Sequence, residues 1–173
     1  MKKIAFILFL VISAGVIQAQ QSDLIKYKSL FTINFIRYIA WPDEAKQGDF
    51  IIGVLKNSAI ASQIKAQTTG KKIGFQNIVI KEFKSIEELS NCHLLYVDGN
   101  VNYNKNAELI ASKINNKHAF IVTDSNGAIS KGSMINFVIV DNQLKFEVSA
   151  ENAEKSGLKL SSTLFSMNNA IKS

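Results

Sequence analysis

The sequence predicts one α/β domain in three layers. Helices cover both faces of a mostly parallel sheet, an antiparallel hairpin lies at the sheet edge, and helices stand at the N- and C-terminal ends. Three observations predict it. A chain of 173 residues has the length of one domain, and 47% hydrophobic against 20% charged residues is enough to bury a core. Apolar runs too short for a helix alternate with segments of helical periodicity, the pattern of strand–helix–strand units. Two strand-like runs follow each other with only Asp141-Asn142-Gln143 between them, a hairpin signal.

The first residues form a leader. Lys2 and Lys3 precede the unbroken apolar run Ile4 to Val11, small residues follow, and Ile17-Gln18-Ala19 has the form of an export cleavage site. Cleavage is expected between Ala19 and Gln20, giving a signal peptide over 1–19 and a mature domain over 20–173. The apolar run is shorter than the roughly 20 residues that span a bilayer. Cys92 is the only cysteine, so none stands at the cleavage site to carry a lipid. Without Lys2 and Lys3 the formal charge falls from +6 to +4, with the lysines scattered. No basic run with interleaved aromatics occurs, which argues against a nucleic-acid partner.

Along the mature chain, a helix is expected from Asp23 to Trp41, ended by Pro42. Leu24, Tyr27, Phe31, Phe35 and Tyr38 form one apolar stripe at three- and four-residue spacing, read as the core-facing side. Ile25, Leu30, Ile33, Ile36 and Ile39 are apolar as well, more than one docked face requires. Phe50 to Leu55 reads as a buried parallel strand. Asn57-Ser58 caps a helix running to about Gln67, and a turn over 69–72 leads to a strand from Phe75 to Phe83. Ser85-Ile86-Glu87-Glu88 has capping-box form and predicts a short helix. His93 to Val97 and Ala119 to Thr123 are strands around a helix from Lys105 to Ile114. Ile135–Val140 and Leu144–Val148 form the hairpin. A helix from Ala150 to Ser156 ends at Gly157, and a last helix carries Leu160, Leu164, Met167 and Ile171 on one stripe. The alternation is Rossmann-like, without internal repeat or linker.

No catalytic or metal site is expected. One cysteine and two histidines exclude multi-cysteine and histidine-rich metal sites. Ser62-Gln63-Ile64-Lys65 fits an acylating serine–lysine pattern but lacks the partner motifs of that chemistry. Gly127 to Ser133 has phosphate-loop spacing, yet Ser133 stands where lysine belongs and a strand follows instead of a helix. Cys92 beside His93 would make an activated thiol only if their side chains met, and neighbours in a strand point to opposite faces. Asp98 and Asp124 each follow a strand of the parallel sheet at its carboxyl end, where open α/β folds bind ligands. With Asn126 they mark a candidate ligand crevice.

Several segments, in order, resemble the YfiR family of exported bacterial proteins. They are Tyr38-Ile39-Ala40-Trp41-Pro42, Ile52-Gly53-Val54-Leu55, Gly70-Lys71-Lys72-Ile73, Cys92-His93-Leu94-Leu95-Tyr96-Val97 and Phe120-Ile121-Val122-Thr123-Asp124. The most specific block is Gly132-Ser133-Met134-Ile135-Asn136-Phe137 with Leu144-Lys145-Phe146-Glu147-Val148, closed by Gly157-Leu158-Lys159-Leu160-Ser161-Ser162. The resemblance covers roughly residues 23–167. It implies a periplasmic regulator without enzymatic activity or cofactor, which restrains a membrane-bound diguanylate cyclase or other receptor by binding its periplasmic domain. It also implies a homodimer and relief of the restraint by an outer-membrane lipoprotein. Disulfide control does not carry over, since Cys92 stands alone. The apolar surplus of the first helix suggests an interface formed by Leu30, Ile33, Ile36, Tyr38 and Trp41. The alternative is a small-molecule sensor or carrier using the crevice at Asp98 and Asp124.

Overall fold

The computed structural model describes residues 21–172. The leader and the cleavage site at Ala19 and Gln20 lie outside the described residues. The sheet has eight strands: β2 (Phe50–Leu55), β3 (Lys72–Ile73), β4 (Gln76–Phe83), β5 (Leu94–Val97), β6 (Phe120–Thr123), β7 (Ile135–Val140), β8 (Gln143–Val148) and β10 (Ala170–Lys172). A separate antiparallel pair joins β1 (Ile39–Ala40) to β9 (Lys159–Leu160). The strand order in the large sheet is β10-β8-β7-β6-β5-β2-β4-β3. From β7 to β4 every neighbouring pair is parallel, and β5 and β6 are buried along their whole length, as strands covered on both faces must be.

The helices are α1 (21–35), α2 (Ser58–Thr68), α3 (Tyr103–Ile114), α4 (Ala150–Lys155) and α5 (Ser162–Phe165). Asn57, Asn102, Ser149 and Ser161 cap α2 to α5, each accepting a backbone N–H of the first turn. Residues from α1, α2, α4 and α5 pack with one sheet face around Ile52, Val54, Tyr96, Phe137 and Phe146. The other face buries Tyr103, Ile110 and Ile114 of α3 with Leu55, Leu95 and Val97. These are the three layers of the expected α/β domain. The β7–β8 hairpin turns through Asp141 and Asn142 at φ 51° and 59°, the left-handed pair that a two-residue turn between twisted strands requires.

Five expectations are corrected. The first helix does not run to Trp41: it ends at Phe35, one 3-10 turn follows over Ile36–Tyr38, and β1 then pairs with β9, taking the backbone that a helix would have used. Its docked face is only partly the predicted stripe: Phe31, Phe35 and Tyr38 pack on the core as expected, but Tyr27 does not and two polar residues do. Ser29, Thr32 and Phe35 are fully buried whereas Tyr27 is 51% exposed. The Ser29 and Thr32 hydroxyls donate to the carbonyls of Ile25 and Lys28 at 2.8 Å, so burial leaves neither unsatisfied. No helix starts at Ser85: Glu88 accepts the N–H of Lys84 at 2.7 Å and closes a turn over 84–89. The last helix is only α5, and the stripe Leu160, Leu164, Met167, Ile171 is divided among β9, α5, a turn and β10. Asn169 fixes that ending, donating from Nδ2 to Leu144 O at 2.7 Å and accepting the Phe146 N–H at 2.9 Å. β10 thereby extends the sheet parallel to β8, so the hairpin is one strand in from the edge.

Candidate functional site

The direction of the sheet's winding changes between β2 and β5. β2 leads through α2 to β4 on one side, and β5 leads through α3 to β6 on the other, with α2 and α3 on opposite faces. Loops leaving two such strands diverge, which opens a crevice at their carboxyl ends. A cavity of about 410 Å³ occupies this place, lined by Asn57 after β2, Tyr96 of β5, Asp98 and Asn100 after β5, and Asp124 after β6. Its outer wall is α1, through Gln21, Leu24, Ile25 and Lys28.

Asp98 is buried and spends its carboxylate on the protein itself. Oδ1 accepts the Asn100 N–H at 2.9 Å and Asn100 Nδ2 at 2.6 Å, while Oδ2 accepts Asn57 Nδ2 across the switch point. Asn57 in turn caps α2 through Ile60 N at 3.0 Å, so the two diverging loops are tied together. Asp124 pairs with Lys28 of α1, clamping the helix over the cavity. The two loops also touch by backbone: a Cβ on Gly99 would lie 2.5 Å from the Asp124 carbonyl oxygen, which only glycine tolerates. The Tyr96 hydroxyl is buried beside Asp124 without a hydrogen bond of ordinary geometry, and burial together with the nearby carboxylates of Asp124 and Asp98 pushes its pKa above the ordinary phenol value. It is a protonated donor at the floor of the crevice.

The predicted acids Asp98 and Asp124 therefore line one cavity, while Asn126 lies outside it and shares only an adjoining depression with Asp124. Asn126 is exposed in an adjoining depression, where its carbonyl accepts Asn104 Nδ2 at 2.9 Å. As site residues the sequence singles out neither Lys28 nor Tyr96, and Asn57 only as the cap of α2. Lys28 was legible only as a polar break in an apolar helix. Of the five residues assigned to an interface, Leu30 is exposed and Ile33, Tyr38 and Trp41 are half-buried. Ile36 is 5% exposed and belongs to the core, so it leaves the surface set.

The remaining chemistry candidates take structural places. Cys92 is fully buried, and burial pushes its thiol up to about 12. His93 turns away to stack on Phe50 at 4.7 Å and accepts the Ile51 N–H on Nδ1 at 3.0 Å. His118 Nδ1 donates to Ser156 O at 2.7 Å, beside Gly157 at φ +70°. Ser62 and Lys65 are both exposed on α2. Gly127 and Gly132, both left-handed, flank a 3-10 turn over Ala128–Lys131, and Ser133 is buried against Thr123. Among the described residues no group of three or more His, Cys, Asp or Glu is placed to hold a metal.

Burial holds the His93 pKa below its ordinary 6.5. The unfolded chain therefore binds this proton first as pH falls, and the associated stability, complete above about pH 6.5, is lost on the acid side. The unfolding midpoint is expected to drop between about pH 7.5 and 5.5 in the native protein and to drop less in His93→Gln. Equal slopes by denaturant titration would show that another group controls this range.

The sequence matches the YfiR/HmsC-like family over residues 25–168. The chain belongs to the YfiR/HmsC-like family. The match begins inside α1 and reaches past α5, so the hairpin and the crevice, except for Gln21 and Leu24 of its helical wall, fall within the matched residues. No curated protein matches the chain. Among the described residues no helix is long and apolar enough to cross a membrane.

Proposed function

We propose that this YfiR/HmsC-like protein acts in the periplasm as a binding regulator that restrains the periplasmic part of an inner-membrane signalling protein, a diguanylate cyclase in the first instance. Family membership over 25–168 carries the reading. The surface of α1 supplies the contact: Tyr27 is 51% and Leu30 37% exposed, one turn apart on the same side of the helix. Large apolar side chains left in water beside one another mark interaction surfaces. A homodimer is the expected form, and an outer-membrane lipoprotein is the expected antagonist. Deleting the gene is expected to raise cellular cyclic di-GMP, and Tyr27→Glu with Leu30→Glu to reproduce the rise while circular dichroism stays native. Partner affinity should fall about tenfold or more, since a charge at an interface core costs over 1.4 kcal/mol. Unchanged cyclic di-GMP in the deletion strain would defeat the restraint reading.

A second reading, sensing of a small polar ligand, is favoured by one observation: the buried Tyr96 hydroxyl at the floor of the crevice, without a hydrogen bond of ordinary geometry. It is compatible with the first. α1 presents Lys28 to the crevice and Tyr27 and Leu30 to solvent, so a ligand that displaced Lys28 from Asp124 would shift the docking surface. Thermal-shift screening of small amines, sugars and carboxylates tests it, because a ligand that binds the native state stabilises it. A stabilising compound should lose its effect in Tyr96→Phe; a screen without one would leave the first reading alone.

A further inference from the structure

The outer edge of β4 is open. Along its inner side β4 pairs with β2 from Ile78 to Phe83, but on the outer side β3 covers only Gln76 and Asn77. Among the described residues no strand lies beyond Ile78. Because backbone groups alternate in direction along a strand, alternate residues from 78 to 83 aim N–H and C=O outward. Proteins normally blunt such an edge with charge, proline or a bulge. Here charge comes only in the second half, at Lys81 and Glu82, while Ile78-Val79-Ile80 stand in succession before them, all half-exposed.

A groove of about 490 Å³ runs between this edge and the C-terminal end of α2. Ile78, Val79 and Ile80 line it together with Lys65, Lys71 and Lys72, and none of the three lysines is in an ion pair among the described residues. The acid of this strand, Glu82, lies outside the groove lining. At the tip of the β3–β4 turn, Phe75 is 101% exposed, an aromatic without cover of the kind that anchors interfaces.

We propose that this edge is a strand-addition site for an extended, acidic segment of a partner protein. The segment lies antiparallel to β4 and continues the line of β3 where that strand stops. Its main chain completes the ladder at 78–82, its apolar side chains cover Ile78 and Ile80, and its carboxylates meet Lys65, Lys71 and Lys72. Phe75 docks against the partner beside the groove. The site stands independently of the α1 surface, since it uses different elements.

The probe is a capped peptide of alternating glutamate and valine as long as β4, compared with the same peptide N-methylated at alternate amides and with a lysine–valine version. Hydrogen exchange with the mature protein at about 1 mM peptide is expected to show protection at 78–82 by the acidic peptide only. The double variant Lys71→Glu, Lys72→Glu, both exposed and distant from the core, should weaken binding about tenfold or more, as should raised salt. No protection by the acidic peptide, or equal protection by its N-methylated form, overturns the proposal. So does protection of 78–82 in the protein alone that rises with its concentration, which would make a second copy the occupant.

Discussion

Truncating Phe35 to alanine is expected to destabilise the protein by about 3–5 kcal/mol, the range for large aromatics removed from a core that cannot collapse. Phe35 is fully buried at the last residue of α1. Its ring lies 4.9 Å from Phe146 edge-on, 5.9 Å from Phe137 and 6.0 Å from Phe31. Phe137 and Phe146 are directly opposite in the antiparallel β7–β8 register, so their positions are fixed by the hairpin backbone. The hole left by Phe35 is therefore walled by a ladder on one side and by the helix on the other, and neither can move in to fill it. Urea unfolding measures the loss, with Leu30→Ala as a control expected within about 0.5 kcal/mol because Leu30 is exposed. Phe35 is also the bolt that holds α1 against the sheet. Loosening it should speed hydrogen exchange in α1 before the rest of the domain, releasing Lys28 from Asp124 in the process. A loss below about 1 kcal/mol would mean that the cluster repacks and that α1 is held elsewhere.

The parts legible in the sequence were those whose cause is local. β2, β5 and β6 announce themselves as short unbroken apolar runs because both faces are covered, and α2 announces its cap in Asn57. The docked side of α1 was not legible. Its apolar residues occupy both sides, and its buried side includes Ser29 and Thr32, whose hydroxyls are satisfied within the helix and so cost little to bury. The C-terminal segment misled for a related reason. Leu164 is buried in a one-turn helix while Ile171 belongs to a strand, yet their spacing imitates one helical stripe. Nothing local distinguishes a three-residue strand whose partner β8 lies more than twenty residues earlier. The crevice was half visible. Asp98 and Asp124 stand where strand ends predict a site, but Lys28 is 96 residues from Asp124 in sequence, and only the fold brings them together.

The block Gly132 to Phe137, the most specific in the sequence, owes its character to one side chain, and replacing Asn136 by alanine is expected to cost about 2–4 kcal/mol. Asn136 is fully buried. Its Oδ1 accepts the Thr123 hydroxyl at 2.8 Å and the Ser125 N–H at 3.0 Å, and its Nδ2 donates to Glu147 Oε2 at 2.8 Å, directly opposite in the hairpin register. Thr123 Oγ1 is also 2.8 Å from Ser133 Oγ, so a single amide joins β6, the loop after it, β7 and β8. Alanine takes this partner from the Ser125 N–H and the Glu147 carboxylate and leaves the Thr123 hydroxyl only Ser133 and the Ile135 carbonyl. The loss is smaller than the sum of three deletions because Glu147 is half-buried and regains water. Asn136→Asp separates this cause from lost packing. It keeps the shape and the acceptor for Thr123 and Ser125, but sets a carboxylate against Glu147. Two like charges at that distance raise the pKa of the pair in the folded state, so the folded protein binds the proton more tightly than the unfolded chain. The Asn136→Asp variant should then recover stability relative to the native protein as pH falls from about 7 toward 4, whereas the Asn136→Ala deficit should stay constant. Parallel pH profiles for the two variants would assign the cost to packing alone. The Ser125 contact carries the result to the crevice. Asp124 is the next residue, so both variants should weaken its hold on Lys28, seen as faster exchange in α1 at temperatures where the sheet stays protected.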